Sequence, residues 1–241
     1  MYQIAIQECV DIINQGCNNL GELKDNVTRL CKDVTTAGEE SLWEIPFSDG
    51  RGRVVYTWGN KHQYGNQYQR NGSDASTSNH GGVNGVVPTL FYDFDVEDIR
   101  RNITCVPYRW SKTGESLSKT VNGVNYTDLI YATQELSNPV AMYFGKLRYE
   151  WMDRYVTSSN DDGVNWQYMR LADVYLMAAE AINELDGPST AWQYMKPVLD
   201  RALPSSKVSA LQSKYTASKT AFFEGIVDQR AFEFAGEALR K

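Results

Sequence analysis

The stretch MRLADVYLMAAEAINEL, residues 169–185, decides how this chain is read. Its apolar positions Leu171, Val174, Tyr175, Ala178, Ala181, Ile182 and Leu185 recur at i, i+3, i+4 spacing, one face of an α-helix. The spacing predicts a helix from Trp166 to Leu185, stopped by Gly187-Pro188. Ser189 or Thr190 can start a second helix running to about Leu203, with Pro197 near its middle predicting a kink or a break. A third helix is expected over 216–237, with Phe222, Ile226, Phe232 and Phe234 as core. Paired antiparallel helices with small alanine contacts and short turns resemble tetratricopeptide packing, without a clean 34-residue repeat.

Upstream the signals are shorter. Residues 2–15 put Ile4, Ala5, Cys9, Ile12 and Ile13 on one helical face, with Gly16 as a stop, and 22–32 allow a second helix. SLWEIPF (41–47) reads as a strand whose Pro46 marks an edge or an end. From Ser48 to Pro88 the chain turns rich in Gly, Asn, Ser and Gln, a length of loop that is functional or disordered when it occurs. DFDVEDIRR (93–101) suggests a short helix with Asp95 as N-cap, and TCVPYRW (104–110) and AMYFGKLRYEW (141–151) read as strands. Between them 111–139 is polar, with turn signals at Lys112-Thr113-Gly114 and Asn122-Gly123, and 158–163 reads as an exposed loop.

Bulk properties exclude several classes. No run of about 18 apolar residues offers a membrane-spanning helix. The net charge is −6 with no basic block, so nucleic acid is not an expected partner. Six Trp and fifteen Tyr supply flat rings with a polar handle, suited to core, interface or sugar site. Cys9, Cys17, Cys31 and Cys105 match neither a zinc pattern nor a disulfide framework, and buried free thiols are the simple reading for the first three. MYQIAIQECV has no signal-peptide character, and EFAGEALRK stops inside a helical pattern, so both ends read as truncated.

The 169–185 stretch resembles the signature helix of the SusD/RagB family through Arg170, Ala172, Asp173, Val174, Leu176, Ala179, Glu180, Ala181, Asn183 and Glu184. LDRAL (199–203) is similar to a shortened downstream family segment. FFEGIVDQRAFEFAGEALRK (222–241) resembles another, through Ile226, Gln229, Arg230, Glu233, Phe234, Glu237 and Arg240, with Gln229 where Glu is usual. ESLWEIPF (40–47) and VEDIRRNITCVPYRW (96–110) add weaker matches in the right order.

The resemblance implies a mainly α fold, with tetratricopeptide-like helix pairs supporting an irregular loop-rich portion and a few short β-strands. It implies one partial domain over 1–241, truncated at both ends, with 48–165 as the loop-rich, candidate ligand-binding portion. It further implies a cell-surface lipoprotein of the outer membrane, anchored by an acylated cysteine that would precede residue 1. Its partners would be an oligosaccharide or polysaccharide, or in some members a peptide, and a SusC-like TonB-dependent transporter; the other reading is a helical-repeat scaffold that binds protein and no small ligand. The signature residues read as scaffold. Glu180 and Glu184 are helical neighbours that need partners if buried, and Arg170, Arg230 or Arg240 could serve.

A sugar site needs exposed flat rings for C–H faces and polar side chains for hydroxyls. Residues 51–72 hold that mix: Trp58 and Tyr64 as stacking platforms, Tyr56 and Tyr68 beside them, and Asn60, Asn66 and Arg70 as hydroxyl readers. Trp58 and Tyr56 could instead anchor the loop to the body, and Trp110 could pack on the core. His62 and His80, with Asp74 between, lack metal-ligand spacing, and Asp93, Asp95, Glu97 and Asp98 lack the glycine turn and terminal Glu of a calcium loop. No cofactor or metal is expected. G-x-S-x-G, H-E-x-x-H, P-loop and dinucleotide fingerprints are missing, and the chain is read as a non-enzyme. A glycosidase needs only two placed carboxylates, which no motif marks.

Overall fold

The computed structural model describes residues 1–32, 37–47, 68–70, 85–106, 108–121, 124–136, 142–147 and 164–237, with backbone alone at 31–32, 68–70, 106, 108–121, 124–136 and 143. In chain order its elements begin with α1 (Tyr2–Gln15), α2 (Leu23–Lys32), β1 (Ser41–Ile45) and β2 (Tyr68–Arg70). α3 (Pro88–Asp93), α4 (Ile99–Thr104), β3 (Cys105–Val106), β4 (Tyr108–Val121), β5 (Val124–Leu136) and β6 (Tyr143–Phe144) follow. The chain continues with β7 (Trp166–Arg170), α5 (Leu171–Leu185), α6 (Pro188–Asp200), α7 (Ser205–Tyr215) and α8 (Lys219–Phe234). The fold is mainly helical, as the sequence implies. Among the described residues no helix is long and apolar enough to cross a membrane.

The signature helix is shorter than its apolar stripe. Trp166–Arg170 forms β7, and helix begins at Leu171. α5 is also buried on two sides, not one. Leu171, Val174 and Ala178 pack with Cys9, Ile12 and Ile13 of α1, while Ala172, Leu176, Ala179 and Ile182 face a larger core shared with α6, α7 and α8. Alanines on both sides let the neighbouring helices approach closely. Leu185 lies outside this core, 44 % exposed. On α1 the buried face includes Cys9, and Gly16 adopts the left-handed conformation (φ 64°) that ends the helix. Ile4, expected inside, is exposed, and Ile6 packs on the core instead.

Two helix boundaries differ from expectation for identifiable reasons. α6 starts on Gly187 as N-cap with Pro188 in its first turn, where a missing N–H costs nothing, so neither Ser189 nor Thr190 caps it. Pro197 does not break it. The polar stretch after Leu203 forms α7, whose inward residues Val208, Leu211 and Tyr215 keep i, i+3, i+7 spacing within an otherwise hydrophilic helix. α8 then begins at Lys219, capped by the Ser218 side chain on Ala221 N.

α7 and α8 meet at Gly225, where a Cβ would sit 2.7 Å from the Tyr215 ring. Gly225→Val should therefore overpack this contact, at a cost of about 1–3 kcal/mol, and lower the melting temperature by roughly 3–10 °C in a circular-dichroism melt. An unchanged melting temperature would show that the two helices can move apart freely.

Among the described residues the strands form three small sheets, ordered β1-β7, β2-β5-β4 and β3-β6, all antiparallel. The polar 111–139 region is the largest departure from expectation. It supplies most of β4 and β5, a long antiparallel pair whose register runs from Tyr108 opposite Leu136 to Val121 opposite Val124. The Lys112-Thr113-Gly114 signal is absorbed as a register irregularity between Lys112 and Ser116 within β4. At the hairpin base, β3 and β6 tie into the helical body. Val86, Phe94, Cys105 and Met142 make a small core there, packed against Phe144 and Phe232. Cys9 and Cys105 are buried free thiols, whereas Cys17 is exposed.

Candidate functional site

Of the residues singled out for sugar contact, Tyr56, Trp58, Asn60, Tyr64 and Asn66 lie outside the described residues, as do His62, Asp74 and His80. Tyr68 and Arg70 fall on β2, opposite Tyr131 and Leu129 of β5. Directly opposite residues of an antiparallel pair share a face, so Tyr68, Arg70, Leu129 and Tyr131 occupy one face of the hairpin sheet. Trp110 lies within β4, opposite Gln134, rather than at a strand end.

Within the helical body the family-like residues form a buried ion lattice. Arg170, fully buried at the β7–α5 junction, donates to Glu40 Oε1 at 2.6 Å, Glu233 Oε1 at 2.7 Å and Glu237 Oε2 at 2.8 Å. Arg201, at the end of α6, donates to Glu40 Oε2 at 2.7 Å and to Glu233. Arg100 donates to Asp98 Oδ2 at 2.6 Å, Gln229 Oε1 at 2.8 Å and Glu233 Oε2 at 3.2 Å. Lys146 donates to the Glu233 carbonyl and to Glu237. Four cations (Arg100, Arg170, Arg201, Lys146) thus meet four carboxylates (Glu40, Asp98, Glu233, Glu237).

Gln229 keeps that balance. It accepts from Arg100 and donates to Tyr215 Oη at 3.4 Å without adding a fifth buried negative charge. Burial alone would raise the Glu233 carboxyl, but Arg201, Arg170, Arg100 and Lys146 overcome it and hold Glu233 well below the usual range. Glu237 behaves alike: burial opposes, and Arg170 and Lys146 win. Burial pushes the Lys146 ammonium down against the pull of Glu237.

Arg230 pairs with Asp173 of α5 at 2.6 Å. Arg170 and Arg230 are thus committed elsewhere than Glu180 and Glu184. Burial does not demand partners for those two: Glu184 is exposed and Glu180 half-buried. Arg240 lies outside the described residues.

The acidic run 93–98 is spent on capping and pairing. Asp98, not Asp95, caps α4 by accepting from Arg100 N. Asp95 accepts from Glu97 N and pairs with Lys207 at 2.8 Å. These groups border a groove of about 300 Å³ between α3, α7 and α8, with Asp228, Lys214 and Tyr215 on its far side. Among the described residues no group of His, Cys, Asp and Glu is arranged to hold a metal ion.

The β1–β7 sheet packs Leu42 on the α1–α5 core, lays a polar network beside it and carries aromatic rings outside. Inward, Asn26 and Gln167 exchange side-chain hydrogen bonds of 2.9 and 3.1 Å, Gln167 also donates to Ser41, and Glu44 pairs with Arg29. Outward, Trp43 is 58 % and Tyr168 49 % exposed, their ring centroids 4.8 Å apart at an interplanar angle of 56°. In sequence Trp43 falls in a strand and Tyr168 in a helical stripe, so their adjacency is not legible there. The WQYMR alternation just before Leu171 was the available signal for a second strand.

The SusD/RagB profile of the SusD family matches residues 39–241, most of the chain. The chain belongs to the SusD family. Among curated relatives, SusD-like protein P25 of Formosa agariphila is 46 % identical over 72 residues, covering 30 % of this chain and 13 % of that protein. SusD-like protein P2 of the same organism is 28 % identical over 99 % of this chain and 46 % of its own length. A crystal structure of a SusD homolog from Bacteroides thetaiotaomicron superposes with a TM-score of 0.68 at 20 % identity, over 98 % of this chain and 46 % of that one. Surface glycan-binding protein A from B. thetaiotaomicron, in complex with laminarihexaose, gives 0.61 at 17 % identity, over 98 % and 48 %. These structures share the fold. This SusD-family chain spans less than half the length of each of these relatives.

Proposed function

We propose that this SusD-family chain captures a glycan at the bacterial cell surface and passes it to a SusC-like TonB-dependent outer-membrane transporter, with no chemistry of its own. The observation that carries the reading is SusD-family membership, joined to a shared fold with a surface glycan-binding protein solved around laminarihexaose. In the full-length protein a lipid anchor would hold it to the outer membrane. Residues 48–165 would form the ligand-binding portion, with Trp58 and Tyr64 stacking on sugar rings, Tyr56 and Tyr68 beside them, and Asn60, Asn66 and Arg70 reading hydroxyls.

The ion lattice supports a scaffold role for Glu233 and Glu237 themselves. A glycosidase general acid needs a raised carboxyl pKa, whereas the cations around Glu233 and Glu237 hold both below the ordinary range. These carboxylates brace helices instead.

Native affinity electrophoresis through gels containing a panel of polysaccharides tests the proposal, with wild type beside Trp58→Ala. Retardation by one polysaccharide, lost in the variant, is the expected result. Retardation that survives the substitution moves the site away from 51–72. Release of shorter sugars from the retarding polysaccharide would replace capture with hydrolysis, and no retardation at all would end the glycan reading.

A further inference from the structure

We infer that the outward face of the β1–β7 sheet, built on Trp43 and Tyr168, is a second stacking platform for a neutral oligosaccharide, an inference that rests on the glycan reading above. Two-stranded sheets on a protein body normally turn their apolar side inward. Here Leu42 alone of the β1 apolar residues packs on the α1–α5 core, the rest of the inward side is hydrogen-bonded polar side chains, and the two rings stand outside. The strands stay in register at both ends, Ser41 opposite Arg170 and Glu44 opposite Gln167. The ladder slips only at Trp43, which lies opposite Met169. Such local irregularities re-aim side chains beside functional sites. The slip leaves the Trp43 and Tyr168 rings in mutual contact yet each about half open to solvent.

Size and charge select the occupant. Aromatic side chains cover ~150–250 Å² each when fully buried, so two half-open rings offer on the order of 200 Å². A stable protein partner takes roughly 800 Å² per side. The patch fits one or two pyranose rings, not a protein surface. Both charged residues of the two strands, Glu44 and Arg170, are turned inward and paired. Among the described residues the outer face of the two strands carries no charge for a sulfate or uronate to pair with, and a neutral glycan is the class it takes. The bonded polar layer beneath fixes both strands, so the rings lose little freedom on binding.

The test runs wild type, Trp43→Ala and Tyr168→Ala through gels of neutral polysaccharides (laminarin, starch, galactomannan) and acidic ones (alginate, pectin). A neutral polysaccharide should retard the wild type, and its apparent dissociation constant should rise roughly tenfold or more in each variant, as truncating an aromatic anchor does. Unchanged retardation in both variants overturns this platform and leaves the glycan reading intact. Retardation by acidic polysaccharides alone overturns the neutral class, and no retardation of wild type overturns both readings.

Because Trp43→Ala could loosen β1, a second readout uses 5-fluorotryptophan-labelled wild type, with the Trp43 resonance assigned from Trp43→Phe. That resonance should move when the retarding polysaccharide's oligosaccharides are added. A shift confined to other tryptophans overturns the platform.

Discussion

Arg170→Met will cost about 3–5 kcal/mol of folding free energy, the range expected when one partner of a buried ion pair is removed. The methionine fills much of the same volume, so the loss is electrostatic rather than a cavity. Arg170 is the shared donor for Glu40, Glu233 and Glu237. Without it the lattice holds four carboxylates against three cations, and the Glu233 carbonyl loses one of its donors. The junction between β7 and α5 opens, and with it the base of β1, because Leu171 N bonds to Glu40 O at 2.9 Å. Melting temperature should fall by roughly 6–20 °C. Pairing the change with Glu237→Gln should return part of the loss, since residues in one network couple. A cost below about 1 kcal/mol would mean that water reaches the lattice and screens it.

Acid should unfold the chain through the same residues. Glu233 and Glu237 have folded pKa values held below their unfolded one, about 4.3. The unfolded chain then binds more protons than the folded chain as the pH drops through that value, so stability falls with falling pH. The contribution is complete above the unfolded pKa and is lost progressively toward the folded one. Urea midpoints should stay level from pH 7 to about pH 5 and decline below about pH 4.3. Glu233→Gln should lower the midpoint at pH 7, because three guanidinium groups lose a shared carboxylate, and should flatten the acid decline, because one of the two titrating groups is gone. A variant that keeps the wild-type acid slope would assign the decline to other carboxylates.

The Gln229 position shows how such a lattice explains a sequence departure. Read along the chain, glutamine where the family resemblance has glutamate is an anomaly. In the structure it sits between Arg100 and Tyr215, where its amide supplies both an acceptor and a donor. Buried charge is tolerated only when paired, and the lattice is already balanced by Asp98, Glu40, Glu233 and Glu237.

Local pattern located α1, α2, the body of α5 and most of the core of α8, while misplacing Ile4, which is exposed, and Phe232, which packs half-buried on the β3–β6 cluster. In each, apolar spacing, a Gly stop or a polar cap agrees with tertiary packing, and the resemblance carried by Arg170 to Glu184 gave the family. Elsewhere chain-local signals pointed the wrong way. Trp166–Arg170 continues the helical stripe of α5 in sequence, and becomes strand because β1 lies alongside to bond it. β4 and β5 are polar and carry turn signals in sequence, because a strand whose partner is its own neighbour needs no apolar run to declare itself.

By itself, then, the sequence determined a mainly helical SusD-type fold, the helix faces that build its core and the polar aromatic-rich stretch where a sugar is sought. Only the tertiary structure decided which charges meet, since Glu40 and Arg170 lie 130 residues apart in the chain and 2.6 Å apart in space. It alone set Trp43 against Tyr168, because cross-strand contact depends on register between segments that lie far apart in the chain.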